Sequence, residues 1–76
     1  MEIATFIKYD NGYYTFDLES MGIMVFEEAH PKVLSSFNLK NDTSLRGRRF
    51  QLNFSEHIED DDEDFVFYRI ETLKLL

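Results

Sequence analysis

Ile3-Ala4-Thr5-Phe6-Ile7-Lys8-Tyr9-Asp10-Asn11-Gly12-Tyr13-Tyr14-Thr15-Phe16-Asp17-Leu18 is the stretch that decides how this chain folds. Asn-Gly favours a two-residue hairpin turn, because both turn positions need positive φ, and the flanking β-branched and aromatic residues favour strands. With Asp10 opposite Tyr13, uninterrupted pairing sets Tyr9 against Tyr14, Ile7 against Phe16 and Thr5 against Leu18 on one apolar face. Phe6 opposite Asp17, Lys8 opposite Thr15 and Ala4 opposite Glu19 then fall on the other face. A slip of one residue would exchange the two faces, so register carries the architecture.

Beyond the hairpin, Ser20-Met21-Gly22 reads as a turn and Ile23-Met24-Val25-Phe26 as a buried third strand ended by Glu27-Glu28. Pro31 suits the first position of a helix, and Val33, Leu34 and Phe37 give it an apolar side, which predicts one short helix over 31–38 with His30 just before it. Lys40 to Ser44 is a polar loop. Alternation returns after Leu45, with Phe50, Leu52 and Phe54 on one face and Arg49, Gln51, Asn53 and Ser55 on the other; Gly47 permits a bend or bulge. Glu59 to Asp64 is too acidic for a sheet and reads as the exposed tip between this strand and the last, Phe65 to Leu75. Val66, Tyr68 and Ile70 share one parity while Leu73 and Leu75 take the other, so a bulge is expected near Glu71 and Thr72.

Strand, strand, strand, helix, strand, strand is an element order that resembles the OB-fold. The expectation is a single mainly β domain over 1–76, a small five-stranded OB-like barrel with one short helix between strands 3 and 4. An SH3-like barrel is the runner-up; it would place its helical turn between the last two strands, where this chain has the acidic run. The OB resemblance spans nearly all of the chain and rests on element order. It implies oligonucleotide or oligosaccharide binding by the face of strands two and three together with the loops joining strands one to two and four to five.

Composition tempers that implication. Eight Phe and four Tyr in 76 residues supply a core for a small domain. The net charge of −7 is unevenly spread: −5 over residues 1–30, +4 over 31–55 and −6 over 56–76. An acidic surface repels nucleic acid and anionic membranes at long range, so such a partner needs the middle block as a separate patch. No cysteine is present, which excludes a disulfide framework and a thiolate site and fits a reducing compartment. The start of the chain carries no basic leader, and no apolar run approaches the roughly 20 residues that span a bilayer. A cytoplasmic location without membrane association is therefore expected, and the sequons at Asn41 and Asn53 are read as accidental.

Candidate binding residues are few. Phe6 and Tyr13, expected on the outer side of the hairpin, could stack a base or a sugar ring. Lys40, Arg46, Arg48 and Arg49 form the basic segment 40–49, the alternative being that they pair with carboxylates on neighbouring strands. Asp60, Asp62, Asp64 and Glu71 mimic positions of a calcium loop, but Phe65 stands where that loop needs glycine, so no metal is expected. Glu27-x-x-His30 is one half of a di-metal motif without the other half, and no nucleophile elbow or phosphate loop is present. The sequence thus points to a module without catalysis or cofactor, binding a protein partner or its own copy. Single-stranded nucleic-acid binding through segment 40–49 is the alternative.

Overall fold

Positive φ at Asn11 (52°) and Gly12 (86°) closes the first hairpin as expected, joining β1 (Glu2–Asp10) to β2 (Tyr13–Leu18). The computed structural model describes residues 1–58 and 66–76. Along these, β3 (Gly22–Phe26), β4 (Glu28–Ala29) and α1 (Pro31–Ser36) are followed by a 3-10 turn (Thr43–Leu45), β5 (Arg49–Ile58) and β6 (Val66–Leu75). The acidic run from Glu59, the calcium pattern built on it and the first residue of the expected last strand, Phe65, lie outside the described residues.

The fold is mainly β with one short helix. Among the described residues six strands form one open sheet in the order β3-β2-β1-β5-β6-β4, antiparallel throughout except for the parallel pair β4 and β6. This corrects the expected five-stranded barrel, and the cause is a change of partner within one extended run. Gly22–Phe26 pairs with β2, whereas Glu28–Ala29 pairs with β6. Glu27 sits at the switch. Its backbone N–H donates to Tyr68 O (3.1 Å), its carboxylate Oε2 accepts from Tyr68 N (2.8 Å), and His30 N then donates to Ile70 O (2.8 Å). One charged side chain thereby occupies a backbone N–H that the interrupted ladder would leave without an acceptor.

The hairpin register departs from the uninterrupted one. Asp10, Tyr9 and Lys8 face Tyr13, Tyr14 and Thr15 as expected, but Phe6, Thr5 and Ala4 face Phe16, Asp17 and Leu18, because Ile7 is left without a partner on β2. This bulge turns the first half of β1 over. Phe6, expected outside, is 1% exposed and its ring lies 5.1 Å from that of Phe16. Beside the bulge, Phe6 N donates to Arg48 O (3.0 Å) and Gly47 N to Phe6 O (2.7 Å), with Gly47 at φ 84°. The left-handed backbone there makes the bend that sequence analysis assigned to Gly47.

The second expected bulge is where it was placed. Asn53 faces Thr72 and Phe54 faces Ile70, leaving Glu71 unpaired, so Leu73 and Ile70 point to the same interior despite opposite parity. That interior is built from Ala4, Phe6, Tyr14, Phe16, Leu18, Phe26, Phe50, Leu52 and Ile70, with Phe16 edge-on to Phe26 and Phe50 at 5.8 and 6.2 Å. Rings in this arrangement add about 0.5–1.5 kcal/mol per pair beyond area burial. α1 is shorter than the predicted 31–38, ending at Ser36 with Phe37 already extended. His30 caps it by accepting from Lys32 N (3.1 Å), while Val33 of the helix, Leu39, and Leu45 of the 3-10 turn complete the core. The third strand is less buried than its composition suggested: Phe26 is enclosed, but Ile23 and Val25 are 60% and 40% exposed.

Candidate functional site

The basic segment reaches the surface beside β1 in three ways. Lys40 Nζ rests 5.6 Å from the centroid of the Tyr9 ring, a cation–π contact. Arg46 and Arg48 bracket Gly47, which is bonded to Phe6, so both cations leave the chain next to the bulge. At about 3.4 Å per residue, Tyr9 is three steps, roughly 10 Å, from Phe6 along the strand. Arg46 and Arg48 are exposed and join no ion pair among the described residues. Arg49 is drawn away: its guanidinium pairs at 2.5 Å with Glu19, just after β2. Of the four basic candidates, Lys40 stands over Tyr9, Arg46 and Arg48 flank Gly47 beside Phe6, and Arg49 is paired with a carboxylate.

The two aromatic candidates also separate. Tyr13 is 46% exposed at the turn, as expected of it, whereas Phe6 is a core residue and offers no surface to a ligand. The tyrosine pair of this end is Tyr9 with Tyr14, rings 4.8 Å apart and tilted by 52°. Burial pushes the Tyr14 hydroxyl above its ordinary value of 10.0, and the neighbouring Tyr9 adds to the shift.

The outer face of β5 and β6 carries a polar chain that sequence analysis did not single out. Ser55 Oγ lies 2.7 Å from His57 Nε2 and donates to Glu71 Oε1 at 3.0 Å. Arg69 Nε is 3.2 Å from the same carboxylate oxygen, an ion-pair distance without hydrogen-bond geometry, and His57 stacks flat on Phe67 at 5.1 Å. The order of the groups matters chemically. A nucleophilic triad places the imidazole between hydroxyl and carboxylate; here the hydroxyl stands between the other two. Alternation puts Ser55 on the outer face, and its meeting with Glu71 follows from the pairing of Ser55 with Arg69, because Glu71 is the next residue of the Arg69 face.

An open cleft of about 350 Å³ between α1 and β6 is lined by His30, Lys32, Val33, Ser36, Glu71, Thr72 and Leu73, mixing both charges over an apolar floor. No group of three or more His, Asp or Glu side chains among the described residues is placed to hold a metal ion. No helix among them is long and apolar enough to cross a membrane. Comparison with family models, with curated proteins and with solved structures finds no match to this chain.

Proposed function

We propose that this chain is a non-catalytic interaction module of OB-like architecture that binds another protein, or its own copy, through surfaces of opposite charge. The observation that carries the reading is the spatial separation of charge. Between Lys8 and Lys32 the sequence holds five acids and no Lys or Arg: Asp10 ends β1, Asp17 lies in β2, Glu28 in β4, and Glu19 and Glu27 flank β3. Lys40 over Tyr9 and Arg46 and Arg48 on either side of Gly47 lie along β1, without a carboxylate partner among the described residues. Complementary potentials of this kind steer association and set its geometry. The OB-like assignment is supported by the element order and by the continuous run from β3 through Glu27 to β4, which links β2 to β6 as the third strand of a partly open Greek-key barrel would. The lack of cysteine suits a reducing compartment such as the cytoplasm.

Sedimentation velocity at about 20 and about 300 mM salt tests the self-association arm, since screening shortens the reach of exposed charges over this range. Association at low salt, reversed at high salt and abolished by Arg46→Glu with Arg48→Glu, is the expected result. A monomer at both salt concentrations removes self-association and leaves a different protein as the partner.

The second reading, single-stranded nucleic-acid binding, is favoured by Lys40 resting over the Tyr9 ring, by Arg46 and Arg48 exposed without an ion-pair partner among the described residues, and by Tyr13 exposed at the turn. It opposes the acidic β2–β3 face that an OB-like ligand would meet. Fluorescence anisotropy with a mixed-sequence oligonucleotide at low salt decides it, because electrostatic affinity is greatest there. No binding under that condition eliminates it.

A further inference from the structure

We propose that the outer edge of β3 accepts an extended, cationic segment of a partner protein as an additional strand. The inference rests on the reading of this chain as a protein-interaction module and names the partner's chemistry.

Among the described residues β3 pairs only with β2, and it stands at the end of the sheet order. Edge strands of soluble proteins are usually protected by lysine, proline or an inward charge. Gly22-Ile23-Met24-Val25-Phe26 carries none of these, and it turns Ile23 and Val25 outward at 60% and 40% exposure, with Met21 exposed just before them. The edge thus combines backbone groups able to continue a ladder with an apolar strip beside them, the two elements of strand addition.

Charge selects the occupant. On the same outer face Asp17 lies directly opposite Ile23 and Thr15 opposite Val25, with Tyr13 diagonal to Val25. Asp17 is exposed and joins no ion pair among the described residues, and Glu28 follows the strand. A residue added opposite Ile23 sits two strand spacings from Asp17, about 10 Å at ~4.8 Å each. A lysine or arginine covers that distance by laying its aliphatic stem over Ile23 and placing its charged head at Asp17. The next outward residue would lie beside Val25, within reach of the Tyr13 ring. A second copy is disfavoured at this edge, because antiparallel pairing of two β3 strands would bring the Asp17 and Glu28 carboxylates of both copies into one seam, each copy carrying a net charge of −7.

The test uses two short synthetic peptides, one alternating lysine and valine and one alternating glutamate and valine, titrated into the ¹⁵N-labelled protein. The lysine peptide is expected to shift the amides of Gly22–Phe26 and slow exchange of those not bonded to β2; the glutamate peptide is expected to leave them unchanged. Ile23→Lys with Val25→Lys, two exposed positions, is expected to weaken binding by roughly tenfold or more while the melting temperature is kept. Should that variant fold poorly, Asp17→Asn is expected to weaken binding of the lysine peptide on an intact fold. Arg46→Glu with Arg48→Glu is expected to leave peptide binding intact, which separates this edge from the basic end that drives self-association. Equal binding of both peptides, shifts confined to other strands, no shift at all, or full affinity in the β3 and Asp17 variants would each overturn the proposal.

Discussion

The two long antiparallel pairs of this molecule each carry one unpaired residue, Ile7 in β1 and Glu71 in β6, yet only the second could be located from sequence. Around Glu71 the apolar parity changes: Tyr68 and Ile70 precede it, Leu73 and Leu75 follow, and a strand with one buried face must drop a residue between them. Around Ile7 both parities are apolar. Ile3, Ile7 and Tyr9 lie on one, Ala4 and Phe6 on the other, so an unbroken ladder and a bulged one satisfy the pattern equally. What decides is packing: Phe6 inside meets Phe16 at 5.1 Å, and its backbone is bonded on the far side by Gly47 and Arg48. Register is legible only where polar residues mark the outer face.

The largest expected effect separates the two alternatives in β1. Phe6→Ala should cost about 3–5 kcal/mol, the range for an enclosed ring, and Ile7→Ala clearly less, since Ile7 is only half-buried. Denaturant midpoints of the two variants measure the difference, and the unbroken register predicts the reverse order. Glu27→Ala should cost about 1–3 kcal/mol by leaving Tyr68 N–H without its carboxylate. Hydrogen exchange at Tyr68 and Ile70 should quicken in this variant before exchange in β1 and β2 does. Gly12→Val should cost about 1–2 kcal/mol, because a β-branched residue must take φ of +86°. An unchanged melting temperature would mean that the turn is not the one described.

Alkaline titration gives the smallest effect. Tyr14 is raised above 10.0, so the folded state holds its proton more tightly than the unfolded chain does. The contribution of Tyr14 to stability should then be constant below pH about 10 and fall as pH rises from there through the folded value. Ultraviolet-monitored titration should show one tyrosine ionising after the others, and Tyr14→Phe should remove that late step.

The same rule governs what could be read of the candidate site. Tyr13 was placed correctly because it follows the turn, where the pairing is fixed by Asn11-Gly12. Phe6 was misplaced because the bulge lies between it and that anchor. Exposure of Arg46 and Arg48 follows from their charge, but the removal of Arg49 by Glu19 needed the β1–β5 and β1–β2 registers together. The chain from His57 through Ser55 to Glu71 needs the cross-strand alignment of Ser55 with Arg69, which no local pattern supplies. Open edges were equally hidden, since the switch of partner at Glu27 resembles an ordinary strand end in sequence.

Cross-strand NOEs in the hairpin test the central claim most directly. A bulge at Ile7 predicts backbone contacts pairing Tyr9 with Tyr14 and Phe6 with Phe16, together with contacts from the Phe6 ring to Phe16. An uninterrupted ladder pairing Ile7 with Phe16, with the Phe6 ring free of contacts to the core, would contradict it.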